Sequence, residues 1–479
     1  MMIGIEVHAE LNTKSKIFCA CSTAFGGEAN SKVCPVCTGQ PGALPRFNEA
    51  VAEYAVKLGL VLGCVINKNC KFDRKNYFYP DLPKAYQISQ LYFPICAGGK
   101  LDIDADGSKK SIGIREIHME EDAGKLVHAP CGGGTYIDYN RAGVPLLEIV
   151  TNPDFRSAQE VAAFMERLRE TLLYLDICDC KMQEGSLRAD INLSMRKPGN
   201  EPGTRTETKN LNSLKAIARA IEYERERQTK IIEGGGKVIQ QTRRWDDEMN
   251  ESRVLRSKEN AQDYRYFPEP DLQPLEISEE WLDKIRRNIP ELAQEKRERY
   301  MREYGISSYM AGIICGNKNL ARLFEDIARK SGEPVEAANL ITGELLRLIN
   351  NSGADADSLT IDAGKLAYLI SLVVSGKINR NVYKDIAEEV FANDIDPEKY
   401  IAEKRLLAVN DGGAIIAAVN EALSNNIEAV NDFIAGKEKT FAFLMGQAMK
   451  SLGGKGNPVS VKETLMKVLK EKMKQRNSD

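Results

Sequence analysis

Ile3-Gly-Ile-Glu-Val-His-Ala-Glu-Leu11 sets Ile3, Ile5, Val7, Ala9 and Leu11 in strict alternation with Gly4, Glu6, His8 and Glu10. Successive side chains of an extended chain point to opposite faces. This period of two therefore predicts a half-buried strand, apolar on one face and bearing two carboxylates and an imidazole on the other. The pattern returns at Leu187, Ala189, Ile191, Leu193 and Met195, alternating with Arg188, Asp190, Asn192, Ser194 and Arg196. In both segments one face can pack on a core while the other lines a site.

Helical periods interrupt these strands. Ser157 followed by Glu160 forms a capping box, and Val161, Phe164, Met165, Leu168 and Leu172 follow along one helical face. A second helix opens at Asn212 or Ser213 and is expected to bury Leu214, Ile217, Ala218 and Ile221. Gly132 to Gly134 and Gly234 to Gly236 lack a following Lys-Ser/Thr, so they read as turns rather than phosphate loops. After Ile289-Pro290 the strand pattern gives way to helical runs at Asn319 to Lys330, Glu336 to Ile349 and Gly364 to Val374. A further boundary at Ala402 to Leu407 precedes a lysine-rich helical unit. The expectation is an α+β chain in three domains, 1–293, 294–405 and 406–479.

The 479 residues exceed what one hydrophobic core organises. With 43% hydrophobic and 28% charged residues, the chain has enough apolar material to fold. No run reaches the roughly 18–20 apolar residues of a membrane span. Glu6 and Glu10 stand where a signal peptide has its apolar centre, so a cytoplasmic protein without membrane contact is expected. The net charge of −3 carries no global basic excess. Between 437 and 476, however, ten basic residues face three acids. Alone, such a run reads as a solvated helix face or as an RNA-binding surface.

Cys19, Cys21, Cys34 and Cys37 form C-x-C and C-P-V-C separated by one loop. Two close thiolate pairs can close a tetrahedral shell, which predicts a structural Zn²⁺ with no open position. Four unrelated thiols and an iron–sulfur cluster are the competing readings.

His8 lies between Glu6 and Glu10; His118 precedes Glu120, Glu121 and Asp122; and Glu148 is embedded in Val144-Pro-Leu-Leu-Glu-Ile-Val150. A carboxylate in so apolar a run must be paired or bound to metal. Oxygen-rich ligation with one nitrogen suits Mg²⁺, and buried ion pairs are the alternative. Parity alone leaves open which of Glu120 and Glu121 faces the site. No G-x-S-x-G, H-E-x-x-H or P-loop is present, so the chain carries no visible hydrolytic nucleophile. Aromatic and basic residues cluster in Lys71-Phe-Asp-Arg-Lys-Asn-Tyr-Phe-Tyr-Pro80, around Lys84, and in Asp263-Tyr-Arg-Tyr-Phe-Pro268. They are suited to stacking a base or to covering a core.

Gly4 to Glu10, Phe72 to Pro80, His118 to Lys125, Asn140 to Val150, Glu184 to Asp190, Thr206 to Ser213, Asp263 to Pro270, Phe443 to Gln447 and Gly454 to Pro458 together resemble the B subunits of the tRNA-dependent amidotransferases, in family order over nearly the whole chain. The resemblance implies that a side-chain carboxylate on mischarged Glu-tRNA(Gln) or Asp-tRNA(Asn) is phosphorylated by ATP and then amidated by ammonia. It implies His8, Glu121 and Glu148 as Mg²⁺ ligands, with Glu6 and Glu10 close by. Asp190, Lys75 and Lys84 correspond to polar positions on the ammonia route, although both lysines equally suit phosphate, as does Arg188. The implied partners are an amidase-type A subunit and a small C subunit. The implied fold is a cradle on an antiparallel sheet, like that of glutamine synthetase and the guanidino kinases, followed by a helical domain and a helical tRNA-binding tail. A tRNA-binding scaffold with its chemistry on partner subunits is the competing function.

Overall fold

A computed structural model describes residues 1–129, 133–257, 263–407, 412–454 and 456–476. Gly132 and Lys455 lie outside the described residues, as do the side chains of Lys474 and Arg476. The chain divides into two compact units, Met1–Leu292 and Ala293–Asp479.

The first unit is built on a ten-stranded sheet. In chain order its strands are β1 (Met2–Glu10), β2 (Val65–Ile66), β3 (Cys96–Ala97), β4 (Lys100–Ala105), β5 (Ser108–Glu121), β6 (Pro145–Thr151), β7 (Leu187–Ser194), β8 (Thr206–Leu211), β9 (Gln241–Asp246) and β10 (Glu251–Ser257). Their spatial order is β10-β9-β8-β7-β1-β6-β5-β3-β2, with β4 pairing β5. All pairs are antiparallel except β8 with β9.

The two alternating segments of the sequence are neighbours in this sheet. β1 runs between β6 and β7, with Ile5 opposite Ile191 and Val7 opposite both Ile149 and Ala189. Ile3, Ile5, Val7 and Ala9 have at most 1% exposure and belong to one core to which four helices contribute, three of them lying against the sheet. These are α1 (Glu49–Val61), α2 (Ala158–Tyr174) and α3 (Leu214–Glu233), which pack against β5, β4 and β7 respectively.

Ser157 Oγ accepts the Glu160 N–H at 3.1 Å, and the expected face of α2 is buried. The reciprocal bond of the capping box is displaced by one residue: Glu160 Oε2 accepts from Arg156 N and also from Lys110 Nζ. Ser213 is the cap of α3; Ile217 and Ile221 are buried, while Leu214 and Ala218 are half-buried. The inward face also carries Glu224 and Gln228, which bond each other and Thr206.

The second unit is helical throughout its described residues. Lys318–Ser331 and Ala363–Val374 cover two of the expected runs. The third, 336–349, is not one regular helix. Pro334–Asn339 passes through a wider π turn at Leu340–Leu345 before Leu346–Ser352. The last four helices, from Gly412 to Arg476, enclose a small core around Val419, Leu444, Val461 and Leu465. No described helix is long and apolar enough to cross a membrane.

At the Val150/Thr151 irregularity of β6, the Ile5 N–H donates to buried Thr151 Oγ1 at 2.9 Å. Thr151→Val leaves that amide without a partner. It should lower stability by about 1–3 kcal/mol in urea unfolding, with the m-value unchanged.

Candidate functional site

Register across three strands builds the polar face. His8 on β1 stands opposite Glu148 on β6, and Glu148 stands opposite His118 on β5. Directly opposed residues share a face, so Glu120, two residues beyond His118, lies on it as well. Ligand atoms of His8, Glu120 and Glu148 all fall within 4.8 Å of one another. His8 Nε2 and Glu148 Oε1 are 4.0 Å apart.

Glu121 is not brought to this group. It pairs with Pro145 in register and so points to the other face, where its carboxylate holds Lys84 and accepts the Ile88 N–H at 2.8 Å. The expectation that Glu121 would join His8 and Glu148 is therefore corrected to Glu120.

A small three-stranded sheet of Asp73–Asn76, Tyr86–Ser89 and Phe267–Pro268 supplies the partners of Glu120. Lys75 stands opposite Gln87, and Asp73 opposite Ser89. Ser89 Oγ donates to Glu120 Oε1, and Gln87 Nε2 donates to Oε2 at 3.3 Å. The same sheet joins the two aromatic clusters. Lys75 Nζ lies 5.3 Å from the Tyr264 ring centre and 5.7 Å from that of Tyr77, while Phe78 and Tyr79 are exposed.

Burial pushes the Glu148 carboxyl well above its usual range, and the Glu120 charge adds to this. Burial opposes the Glu120 carboxylate too, yet Lys75 and His8 hold its pKa below the usual value. Burial also lowers the His8 pKa, favouring neutral imidazole. Two crowded carboxylates beside a neutral imidazole form a donor set whose repulsion a hard divalent cation would relieve. On that test the residues fit Mg²⁺.

The rest of the face is a chain of opposite charges. Arg141 holds Glu10 at 2.6 Å and also Asp122, whose carboxylate takes Arg188 at 3.1 Å. Burial raises the Glu10 carboxyl to about 7, against the pull of Arg141. Further along, Glu6, Asp190 and Glu207 converge, with Lys209 paired to Asp190 and to Glu207 (2.9 Å), and Asn192 donating to Glu6 at 2.9 Å. Sequence reasoning assigned no role to Lys209, Glu207, Asp122 or Arg141. The alternation of Glu207 and Lys209 was a usable signal for the first pair, whereas Asp122 and Arg141 lie just beyond regular strands.

The four cysteines Cys19, Cys21, Cys34 and Cys37 also converge, their sulfur atoms within 4.8 Å of one another. The Cys34 N–H donates to Cys37 Sγ at 3.2 Å. A hydrogen bond from Cys19 lowers the Cys37 thiol to about 4, and burial raises Cys21 to about 11. This soft, compact donor set fits Zn²⁺. Bonds from Lys32 N to Asn140 Oδ1 (2.8 Å) and from Tyr139 N to Asn30 Oδ1 (2.7 Å) fasten the loop to the turn before β6. The remaining described cysteines are buried.

Comparison with known proteins gives a consistent result over both units. Residues 1–283 match the GatB/GatE catalytic domain, and residues 322–469 match the GatB domain. A protein of Lachnoclostridium phytofermentans is 56% identical over 469 residues, covering 98% of each chain. One from Agathobacter rectalis is 52% identical, covering 98% of this chain and 99% of its own. One from Caldicellulosiruptor bescii is 50% identical over the same shares. All three are named as the B subunit of an aspartyl/glutamyl-tRNA(Asn/Gln) amidotransferase.

The cysteine geometry makes a direct prediction. Purified protein should contain about one zinc per chain, and Cys34→Ser should lose both the metal and local thermal stability. Elemental analysis finding iron, or no metal, contradicts the assignment.

Proposed function

The chain belongs to the family of aspartyl/glutamyl-tRNA(Asn/Gln) amidotransferase B subunits, and on that footing we propose that it binds mischarged Glu-tRNA(Gln) or Asp-tRNA(Asn), activates the side-chain carboxylate with ATP and amidates it. A carboxylate oxygen attacks the γ-phosphorus of ATP, the bond to ADP breaks, and an acyl phosphate forms. Ammonia then attacks the acyl carbon, phosphate departs, and the nitrogen sheds a proton to give the amide. The first step brings two anions together, so the site must supply positive charge without water.

The observation that carries this reading is the convergence of His8, Glu120 and Glu148 from three adjacent strands, with Lys75 acting on both carboxylates. When bound at these donors, Mg²⁺ supplies the charge neutralisation that a polyphosphate meeting a carboxylate requires. Lys75 and Arg188 are the side chains proposed to hold phosphate oxygens, each drawn from an existing ion pair or carboxylate field. Lys84 and Glu121 support them from the opposite face. Glu6, Asp190 and Glu207 line the proposed arrival path of ammonia; the Lys209 ammonium resting among them supports a path suited to N–H donors. Glu10 is held by Arg141 beyond His8, on the side away from Glu6.

The ammonia comes from a glutaminase partner, an amidase-type A subunit joined through a small C subunit in a cytoplasmic complex. A dry, closed path protects the acyl phosphate from hydrolysis. The sheet and its overlay form the proposed cradle of the glutamine synthetase and guanidino kinase type over 1–293. Residues 294–405 form the helical domain, and residues 406–479 the tRNA-binding tail.

Glu148→Gln and Glu120→Gln should fold normally yet lose amidation by more than roughly 100-fold, the upper end of what a lost supporting partner costs. The loss should persist when ammonia is supplied directly. Glu121→Gln should cost less, because it disturbs Lys84 rather than the donor set. Full ammonia-dependent activity in the first two variants would favour a tRNA-binding scaffold instead.

In the tail, Lys437, Lys439, Lys450, Lys462, Lys467, Lys470 and Lys472 are exposed. Deleting 412–479 should weaken tRNA binding and flatten its salt dependence by about one unit of logarithmic slope for each phosphate no longer neutralised. Equal affinity of the truncated and full complexes across a salt titration contradicts the assignment.

A further inference from the structure

Lys16 has no exposed surface, a rare state for a lysine without a carboxylate partner. Its Nζ donates to Lys32 O at 2.9 Å and to Tyr139 O at 3.3 Å, and it lies 3.6 Å from Cys37 Sγ. Among the described residues it forms no ion pair with a carboxylate. The two carbonyl dipoles solvate the ammonium but carry no net charge. Among its hydrogen-bond partners, the one able to become an anion is the Cys37 sulfur.

The four-cysteine centre has the complementary problem. Four thiolates around a divalent cation leave a formal charge of −2 on a compact, partly buried group. A negative centre and a positive side chain, each costly to bury alone, become tolerable side by side. Backbone bonds also hold this segment independently of the Lys16 side chain. Lys16 N already donates to Cys21 O at 2.9 Å, and Ile17 N to Gly143 O at 3.0 Å. Gly143, at φ +85°, closes the near side: a Cβ there would lie 3.5 Å from both Cys37 Cβ and Lys16 Cδ. Beyond its two bonds to carbonyls, the side chain adds charge.

We propose that Lys16 is the built-in counter-cation of the four-cysteine metal centre, placed against Cys37 so that the loop is stable in its metal-loaded form. The inference rests on reading the quartet as a zinc site. Lys16 acts as a positioning residue: it touches no reacting atom, and through Tyr139 it ties the centre to the turn that carries Arg141.

The test uses the full chain in its complex, with Lys16→Met and Lys16→Gln. Zinc affinity is read by transfer to a competing chromophoric chelator, and melting temperature is measured with zinc and after stripping. Both variants should yield zinc at least ten-fold more readily than the unaltered protein, and zinc should raise their melting temperatures less. In the stripped state they should melt no lower than the unaltered chain, because an unpaired buried charge has been removed. The Gln variant retains amide donors for the two carbonyls, so it separates charge from hydrogen bonding and serves if the Met variant does not fold. Unchanged zinc affinity in Lys16→Gln, or equal destabilisation with and without zinc, overturns the inference while leaving the metal site standing. Failure of both variants to fold whatever the zinc content overturns it too. Absence of zinc binding in the unaltered protein removes the metal site and this role together.

Discussion

The strand Met2–Glu10 is paired on both edges: Glu6 to Glu10 with Leu146 to Val150 on one side, and Met2 to Ala9 with Leu187 to Ser194 on the other. A one-residue slip on either edge would turn His8, Glu6 and Glu10 into the core and Ile5 and Val7 into water. Burial of the isoleucines and valines on the helical side therefore fixes where the carboxylates go on the other. The hydrophobic effect sets the site geometry, although the candidate donor atoms themselves are all polar.

That arrangement gathers more negative charge than a protein interior tolerates unaided. Several of the acidic groups are answered by cations: Glu10 and Asp122 by Arg141, Asp122 by Arg188, Asp190 and Glu207 by Lys209, Glu121 by Lys84. His8, Glu120 and Glu148 form the group least neutralised by direct protein contacts. Lys75 influences it through space, but burial still drives Glu148 toward its protonated form. At the cysteine loop the sign is reversed: the fully buried cation Lys16 lies against two backbone carbonyls and the Cys37 sulfur.

Much of this was legible in the sequence because two strands carry a period of two without interruption. Parity placed His8 with Glu6 and Glu10, and Arg188 with Asp190. The choice between Glu120 and Glu121 was not legible, since adjacent residues at a strand end differ only in parity and the parity is set by pairing with Pro145–Thr151. Lys209 reaches Asp190 across an irregularity between Ala189 and Ile191 that no local pattern announces. Asp122, Arg141 and Glu10 come from three distant segments and meet only once the sheet is formed. In the helical unit, the π turn at Leu340–Leu345 sits in a sequence whose apolar spacing also suits a plain helix. The cysteine spacing was transparent, whereas the buried Lys16 beside it carried no sequence mark.

The most direct measurement is the position of a divalent ion in the complex with ATP, found by soaking Mn²⁺ into crystals and locating its anomalous scattering. The account predicts one ion bounded by His8, Glu120 and Glu148, with phosphate oxygens completing its shell. An ion held at Glu121 on the opposite face, or none near β1, would contradict it.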